Sequence, residues 1–190
     1  MQRLCNPASI ARGGATLGVT LLARSFDTDV QGPFNNAQVE PLLDMGNRYF
    51  DSVYVLPAAV ILRIAALRWG SDEGDDASSH LLRALVLANG MVAPLKVAVG
   101  RARPDKSNRF SFPSGHSANA FALAAVLGNH GGKYAALTAY AVASFVPMAR
   151  IHARHHYLSD VVAGAGLGVL AGWISGYPRK LVAFSVSPMP

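Results

Sequence analysis

Five long apolar stretches separated by short polar segments restrict this chain to a helical fold. They cover residues 49–69, 81–99, 114–129, 133–149 and 158–177. None alternates apolar and polar residues in the way a half-buried strand does, and no internal repeat is evident. We therefore predict an all-α bundle of about five to six helices. Charged residues make up 15% of the chain, against ~25% in typical soluble domains, so the bundle is predicted to be transmembrane.

The chain is predicted to consist of one helical core with a segment on either side. Residues 1–48 combine a short membrane-associated helix over 13–23 with a polar, turn-rich loop that carries a candidate amphipathic piece at 39–45. Residues 49–178 form the core and residues 179–190 a C-terminal tail. Within the core, the acidic run 71–76 is expected to be a solvated turn, and Gly131-Gly132 a tight turn between two helices.

The excess of basic residues indicates an anionic partner. The net charge of +6 suits nucleic acid, lipid head groups or a phosphorylated substrate. Nucleic acid is the least favoured, because the basic residues cluster around short motifs instead of spreading along a polar face. The single cysteine, Cys5, excludes an intrachain disulfide and gives no metal-site spacing.

The first polar motif runs from Lys96 to Arg103-Pro104. Lys96 and Arg103 are two helical turns apart, so they are predicted to project from one face until Pro104 stops the helix. An arginine offers a planar fork of donors to phosphate oxygens, and a lysine supplies a compact charge. The alternative is a basic helix end that faces lipid phosphates.

The second motif, Pro113-Ser114-Gly115-His116, is predicted to begin a helix with Ser114 as its N-cap. The unpaired backbone N–H groups and the helix dipole favour an anion at such a terminus. Gly115 lets the backbone approach that anion closely, and His116 in the first turn can carry a proton to a leaving oxygen. The alternative is an ordinary helix start with a surface histidine.

The third motif contains Arg150, His156 and Asp160. A histidine and an aspartate four residues apart share a helical face, and a carboxylate on one imidazole nitrogen leaves the other free to attack. Arg150, six residues upstream of His156, can reach the same anion. Two alternatives remain: a metal site made of His152, His156 and Asp160, or His155 as the nucleophile. We place His152 and His155 on the rim, because His155 is rotated away from Asp160 on a helix.

Together the three motifs resemble the signature of the type 2 phosphatidic acid phosphatase superfamily. This superfamily includes membrane lipid phosphatases, bacterial acid phosphatases and vanadium haloperoxidases. Its signature is lysine, six residues, Arg-Pro; then Pro-Ser-Gly-His; then arginine, five residues, histidine, three residues, aspartate. Every spacing is matched, and the resemblance covers roughly residues 50–177. Ala149 and Leu158 depart from it, where the family often has serine and proline.

The resemblance implies a role for each matching residue. His156 would attack phosphorus and form a phosphohistidine, Asp160 would orient it, and His116 would protonate the leaving oxygen and then activate water. The residues implied to hold the phosphate oxygens are Lys96, Arg103, Ser114, Gly115 and Arg150. Fixed cations would neutralise the phosphate, so no cofactor and no metal are expected. Arg101, Lys106 and Arg109 are expected to extend the basic rim.

The sequence thus predicts a metal-independent phosphatase that acts on a lipid phosphate or diphosphate. It is expected in the bacterial inner membrane with its site at the outer face, without a nucleic-acid partner and in an undetermined oligomeric state. The alternative is a soluble or peripheral periplasmic acid phosphatase for small esters, favoured by a mean hydropathy of only +0.26 and by Arg63 within a helix. A haloperoxidase is disfavoured by the short chain. A non-enzymatic bundle that binds anionic lipid would tolerate alanine at His116 and His156.

Overall fold

The structure, a computed structural model, describes residues 6–30 and 40–176, which form helices and no strand. The helices are α1 (Pro7–Arg24), α2 (Glu40–Tyr49), α3 (Ser52–Trp69), α4 (Asp72–Val99), α5 (Gly115–Ala143), α6 (Phe145–His152) and α7 (Leu158–Ser175). The predicted all-α bundle is confirmed. The predicted tail at 179–190 and the first residue of the piece at 39–45 lie outside the described residues.

Within residues 6–30 and 40–176, four segments are long and apolar enough to cross a membrane, as the prediction of a transmembrane bundle requires. They are Ser52–Trp69, Asp72–Val99, Gly115–His152 and Leu158–Ser175. α3 exposes most of its large apolar side chains, among them Ile61, Ile64 and Leu67, which is the surface expected to face lipid. Arg63 does not join that surface, because its guanidinium pairs with the carboxylate of Asp75 on α4. Arg63 therefore gives no support to a soluble fold.

α7 lies at the centre of the bundle, where it packs against α1, α4, α5 and α6. Its glycines permit this close contact. A Cβ at Gly164 would lie 2.2 Å from the carbonyl oxygen of Ser114, and one at Gly168 would lie 2.2 Å from that of Ala118. Residue numbers rise together along this contact, so α5 and α7 run parallel. The N-termini of both helices therefore lie at the same end of the bundle.

Several helix boundaries differ from the prediction. α1 begins at Pro7 and not at residue 13, and the helix predicted over 133–149 is divided at Ser144 between α5 and α6. The acidic run 71–76 is not a solvated turn but the beginning of α4, with Ser71 as the N-cap and Asp72 and Glu73 in the first turn. Carboxylates there interact favourably with the helix dipole, which explains why the run is helical.

The tight turn predicted at Gly131-Gly132 is confirmed. Gly132 adopts a non-helical φ of 76°, and a Cβ at Gly128 would lie 2.9 Å from Cβ of Ala136, so α5 consists of two helical parts that meet at this turn.

Candidate active site

The three polar motifs converge at one end of the bundle. Lys96 lies in the last turn of α4, His116 in the first turn of α5, Arg150 near the end of α6 and Asp160 in the first turn of α7. The backbone N–H of Ser114 donates to the carbonyl of Asp160 at 2.9 Å, which joins the starts of α5 and α7 directly. Residues far apart in sequence thus surround one point.

His156 and Asp160 form a buried pair. Nδ1 of His156 lies 3.8 Å from Oδ2 of Asp160, and the two side chains are 1% and 0% exposed. The prediction placed both residues on one helix. In the structure His156 lies in the turn that precedes α7, and only Asp160 is helical. The pair therefore forms between a turn and a helix start, and not across a helical face.

Three donors fix the carboxylate of Asp160. Its Oδ2 accepts hydrogen bonds from Oγ of Ser111 at 2.5 Å and from the backbone N–H of Tyr157 at 2.9 Å. Its Oδ1 accepts from Nη1 of Arg101 at 2.7 Å. A buried carboxylate with a guanidinium and two further donors is held ionised and in one orientation. The prediction that Arg101 extends a basic rim is therefore wrong, and Ser111 was not predicted at all.

The surroundings of His156 keep its imidazole neutral. Burial lowers the pKa of His156 to about 4; the neighbouring carboxylate of Asp160 opposes this shift, and the charges of Arg150 and Lys96 add to it. At neutral pH the ring therefore carries one proton. A neutral imidazole has a nitrogen lone pair, which a nucleophile requires.

This depressed pKa predicts the acidic side of the pH profile. Attack requires unprotonated His156, so kcat/KM should fall as the pH drops through about 4, whereas an ordinary histidine would place that fall near 6.5. The measurement is kcat/KM between pH 3 and 8, corrected for ionisation of the substrate phosphate. A fall centred near 6.5 after that correction would show that His156 is not held neutral.

The predicted cations reach the site from different elements. α4 ends at Val99, and its C-cap Gly100 adopts φ 56°. Arg103 therefore lies in the following loop, where its backbone N–H donates to the carbonyl of Asn108. The predicted helical face shared by Lys96 and Arg103, and the stop at Pro104, are therefore wrong. Nζ of Lys96 donates to the carbonyl of Phe110 at 2.7 Å, and Nη1 of Arg150 to Oδ1 of Asn47 at 3.1 Å.

Two of these arginines carry buried donors suited to an anion. Within the described residues, Nε of Arg103 and Nε of Arg150 are buried and have no hydrogen-bond partner. Leaving a charged donor unsatisfied is costly, and native structures rarely do so without a functional reason. A phosphate oxygen is a suitable acceptor for an arginine fork.

The start of α5 has the predicted geometry. Oγ of Ser114 accepts from the backbone N–H of Ser117, as an N-cap does, and the Ser114 side chain is buried. A Cβ at Gly115 would meet Val92 at an ordinary 3.8 Å, so packing does not demand glycine there. Without a Cβ, this position leaves the backbone at the start of α5 open to close approach.

His116 is held by residues that the sequence did not reveal. Its Nε2 lies 2.9 Å from the carbonyl oxygen of Asn47 and 3.8 Å from Oδ2 of Asp51. Asn47 belongs to α2, which packs against α6, and the same residue bonds Arg150. Ala149, which departs from the family signature, is fully buried and faces Gly46 of α2.

The two other histidines of the third motif, His152 and His155, have different surroundings. His155 is about one-third exposed, and its Nε2 lies 3.6 Å from Oδ2 of Asp105. His152 is the last residue of α6, separated from His156 by the turn. Among the residues that the structure describes, no group of three or more histidine, cysteine, aspartate or glutamate side chains could hold a metal ion.

A helical bundle with membrane-spanning lengths carries basic, histidine and aspartate motifs at one end. The model of the PAP2 superfamily matches residues 78–180, and the chain belongs to this superfamily.

Two curated relatives share the name lipid A 1-phosphatase. The protein from Porphyromonas gingivalis is 41% identical over 112 residues, covering 51% of this chain and 25% of that protein. The protein from Rhizobium etli is 32% identical over 130 residues, covering 58% of this chain and 54% of that protein. This chain thus spans between a quarter and about half the length of these relatives.

Two solved structures are similar. The crystal structure of Aquifex aeolicus LpxE has a TM-score of 0.62 and 25% identity, covering 82% of this chain and 92% of that chain. A transmembrane PAP2-type phosphatidylglycerolphosphate phosphatase from Bacillus subtilis has a TM-score of 0.64 and covers 96% of this chain and 92% of that chain. Its identity is 22%, so this second likeness concerns the fold alone.

Proposed function

We propose that this protein is a membrane phosphatase that removes phosphate from a lipid phosphate or diphosphate through a phosphohistidine. The observation that carries the proposal is the set of cations around His156. The charges of Lys96 and Arg150 lower the pKa of its imidazole, and Arg103 and Arg150 carry buried Nε donors without a hydrogen-bond partner. Phosphoryl transfer depends mainly on positioning and on stabilising charge, which such a site supplies.

Each step follows from the positions of the side chains. The neutral imidazole of His156 attacks phosphorus through Nε2, since Nδ1 faces Asp160. The bond from phosphorus to the leaving oxygen breaks, and His116 gives that oxygen a proton. The carbonyl of Asn47 and the carboxylate of Asp51 lie at Nε2 of His116, so the transferred proton would be carried on Nδ1. His116 then takes a proton from water, which attacks the phosphohistidine and releases phosphate.

An apolar groove supports a lipid substrate. A cavity of about 770 Å³ lies between the two parts of α5 and is lined by apolar side chains that include Phe50, Ala120, Leu127 and Val142. Ala120 is one helical turn from His116 on the same helix. The chain of a lipid whose phosphate lies at His156 could therefore lie in this groove. The names of the relatives, lipid A 1-phosphatase, also support a lipid-borne phosphate.

The basic test is phosphate release from lipid phosphates in detergent, with and without a metal chelator. We expect release that the chelator does not reduce, and retention of the protein in membranes washed with alkaline carbonate. Release of the protein by carbonate, with preference for small esters, would instead establish the alternative of a peripheral acid phosphatase.

We propose the bacterial inner membrane, with the site at the outer face. Labelling of Lys106→Cys by an impermeant maleimide in cells, in a Cys5→Ser background, tests this orientation.

Filling the groove should separate lipid from soluble substrates. Thr138 lines the groove, and its neighbour Leu137 is 71% exposed and does not. We expect Thr138→Trp to raise KM for a long-chain lipid phosphate about tenfold, an effect of ~1.4 kcal/mol on binding. The KM for a water-soluble phosphate ester should not change. Leu137→Trp is the matched control and should leave both values unchanged. Equal effects of the two substitutions, or none with Thr138→Trp, would exclude the groove as the lipid site.

A further inference from the structure

The carboxylate of Asp27 lies in the core although the residue belongs to the turn after α1. Its side chain is buried, and its Oδ1 accepts the backbone N–H of Ser159 at 2.8 Å. Its Oδ2 accepts Oγ of Ser159 at 2.8 Å and Nη2 of Arg101 at 2.7 Å. Asp27 thus binds the first turn of α7, one residue before Asp160. It lies outside the residues matched by the family model.

Arg101 connects Asp27 with Asp160. One nitrogen of its guanidinium, Nη2, bonds Asp27, and the other, Nη1, bonds Oδ1 of Asp160 and Oγ of Ser159, each at 2.7 Å. The same guanidinium stacks 4.0 Å above the centre of the Tyr157 ring. A planar fork held at both ends has little freedom to rotate.

We propose that Asp27 is a positioning residue for catalysis, which acts through Arg101 to orient Asp160 and thereby His156. The inference rests on the proposed hydrolysis. Its physical basis is the summed charge of Asp27, Arg101 and Asp160. Arg101 alone would neutralise Asp160, whereas one arginine between two carboxylates leaves a net negative charge beside His156. That charge stabilises the positive imidazole ring of a phosphohistidine. The turn after α1 is therefore part of the active-site structure.

Substitution of Asp27 by asparagine tests the proposal with little change in shape. We expect Asp27→Asn to lower kcat about tenfold or more while KM changes by less than threefold, because Asp27 touches no substrate. Asp29→Asn is the matched control: it makes the same change of charge in the same turn, at an exposed residue, and should keep the wild-type kcat. A wild-type kcat in Asp27→Asn, or an equal loss in both variants, would overturn the proposal.

A double substitution shows whether Asp27 acts through Arg101. We expect Arg101→Gln to lower kcat more than Asp27→Asn does, and the double variant to be no slower than Arg101→Gln alone. Losses that multiply would mean that Asp27 acts independently of Arg101. If Asp27→Asn does not fold, Arg101→Gln alone tests the proposal, because it removes both the charge and the fork that join Asp27 to Asp160; a wild-type kcat in that variant would also overturn the proposal. Absence of any phosphate release by the wild-type protein would instead refute the proposed function.

Discussion

Replacing His156 with alanine is expected to abolish phosphate release, with kcat lowered by roughly 10³-fold or more, as for other lost nucleophiles. The physical reason is that His156 alone combines burial, a neutral ring and a carboxylate partner at Nδ1. Its neighbour His155 pairs with Asp105 and is partly exposed. The measurement is the initial rate of phosphate release from a lipid phosphate.

Two further variants control this experiment. His155→Ala removes an imidazole from the adjacent residue and should keep kcat within a few-fold of the wild type. His156→Gln fills more of the buried space than alanine does, and it separates loss of the nucleophile from creation of a cavity. Residual activity above about a tenth of the wild-type rate in both His156 variants would contradict the mechanism. Loss of activity in His155→Ala alone would identify His155 as the nucleophile.

Replacing Gly164 with alanine is expected to have a large effect on stability. The new Cβ would lie 2.2 Å from the carbonyl oxygen of Ser114 and 3.1 Å from its carbonyl carbon, so backbone atoms would have to move. Overpacking of this kind usually costs about 1–3 kcal/mol. The displaced residues, Ser114 and its neighbours, also carry the N-terminal amides of α5 and His116. Both Tm and kcat should therefore fall together.

Gly90 provides the matched control for that substitution. It lies within α4, and a Cβ there would meet no atom within 4 Å. Gly90→Ala should raise Tm slightly or leave it unchanged, since alanine is favoured over glycine in a helix by about 1 kcal/mol. Thermal unfolding of both variants in detergent, with kcat measured on the same samples, decides the matter. A wild-type Tm and kcat in Gly164→Ala would contradict the close packing of α5 against α7.

The local part of the fold was predictable because it has local causes. Apolar length and the lack of alternation predicted the helices. In the structure, the glycines at 164, 168 and 172 allow the close packing of α7. The prediction omits the beginning of α4, because it interprets the acidic run 71–76 as a turn. Ser71, followed by carboxylates, also has the composition of an N-cap and a first turn. That signal was present in the sequence.

The residues that support the candidate site could not be predicted in the same way. Asp27 binds Ser159 across 132 positions, and Asn47 bonds Arg150 across 103. No periodicity or motif links such pairs, and Asp27 lies in a polar turn whose composition indicates exposure. The prediction of Arg101 on the rim fails for the same reason: its charge is visible in the sequence, but the two carboxylates that pair with it are not. Contacts of this kind depend on how α1 and α2 pack against the core.

The stereochemistry at phosphorus tests the proposed phosphohistidine most directly. The substrate carries a phosphoryl group made chiral with three oxygen isotopes. The enzyme transfers this phosphoryl group to an acceptor alcohol, and the configuration of the product is determined. Attack by His156 inverts the configuration at phosphorus, and attack of the acceptor alcohol on the phosphohistidine inverts it again. The account therefore predicts net retention of configuration. Net inversion would show a single direct displacement and would contradict the role proposed for His156.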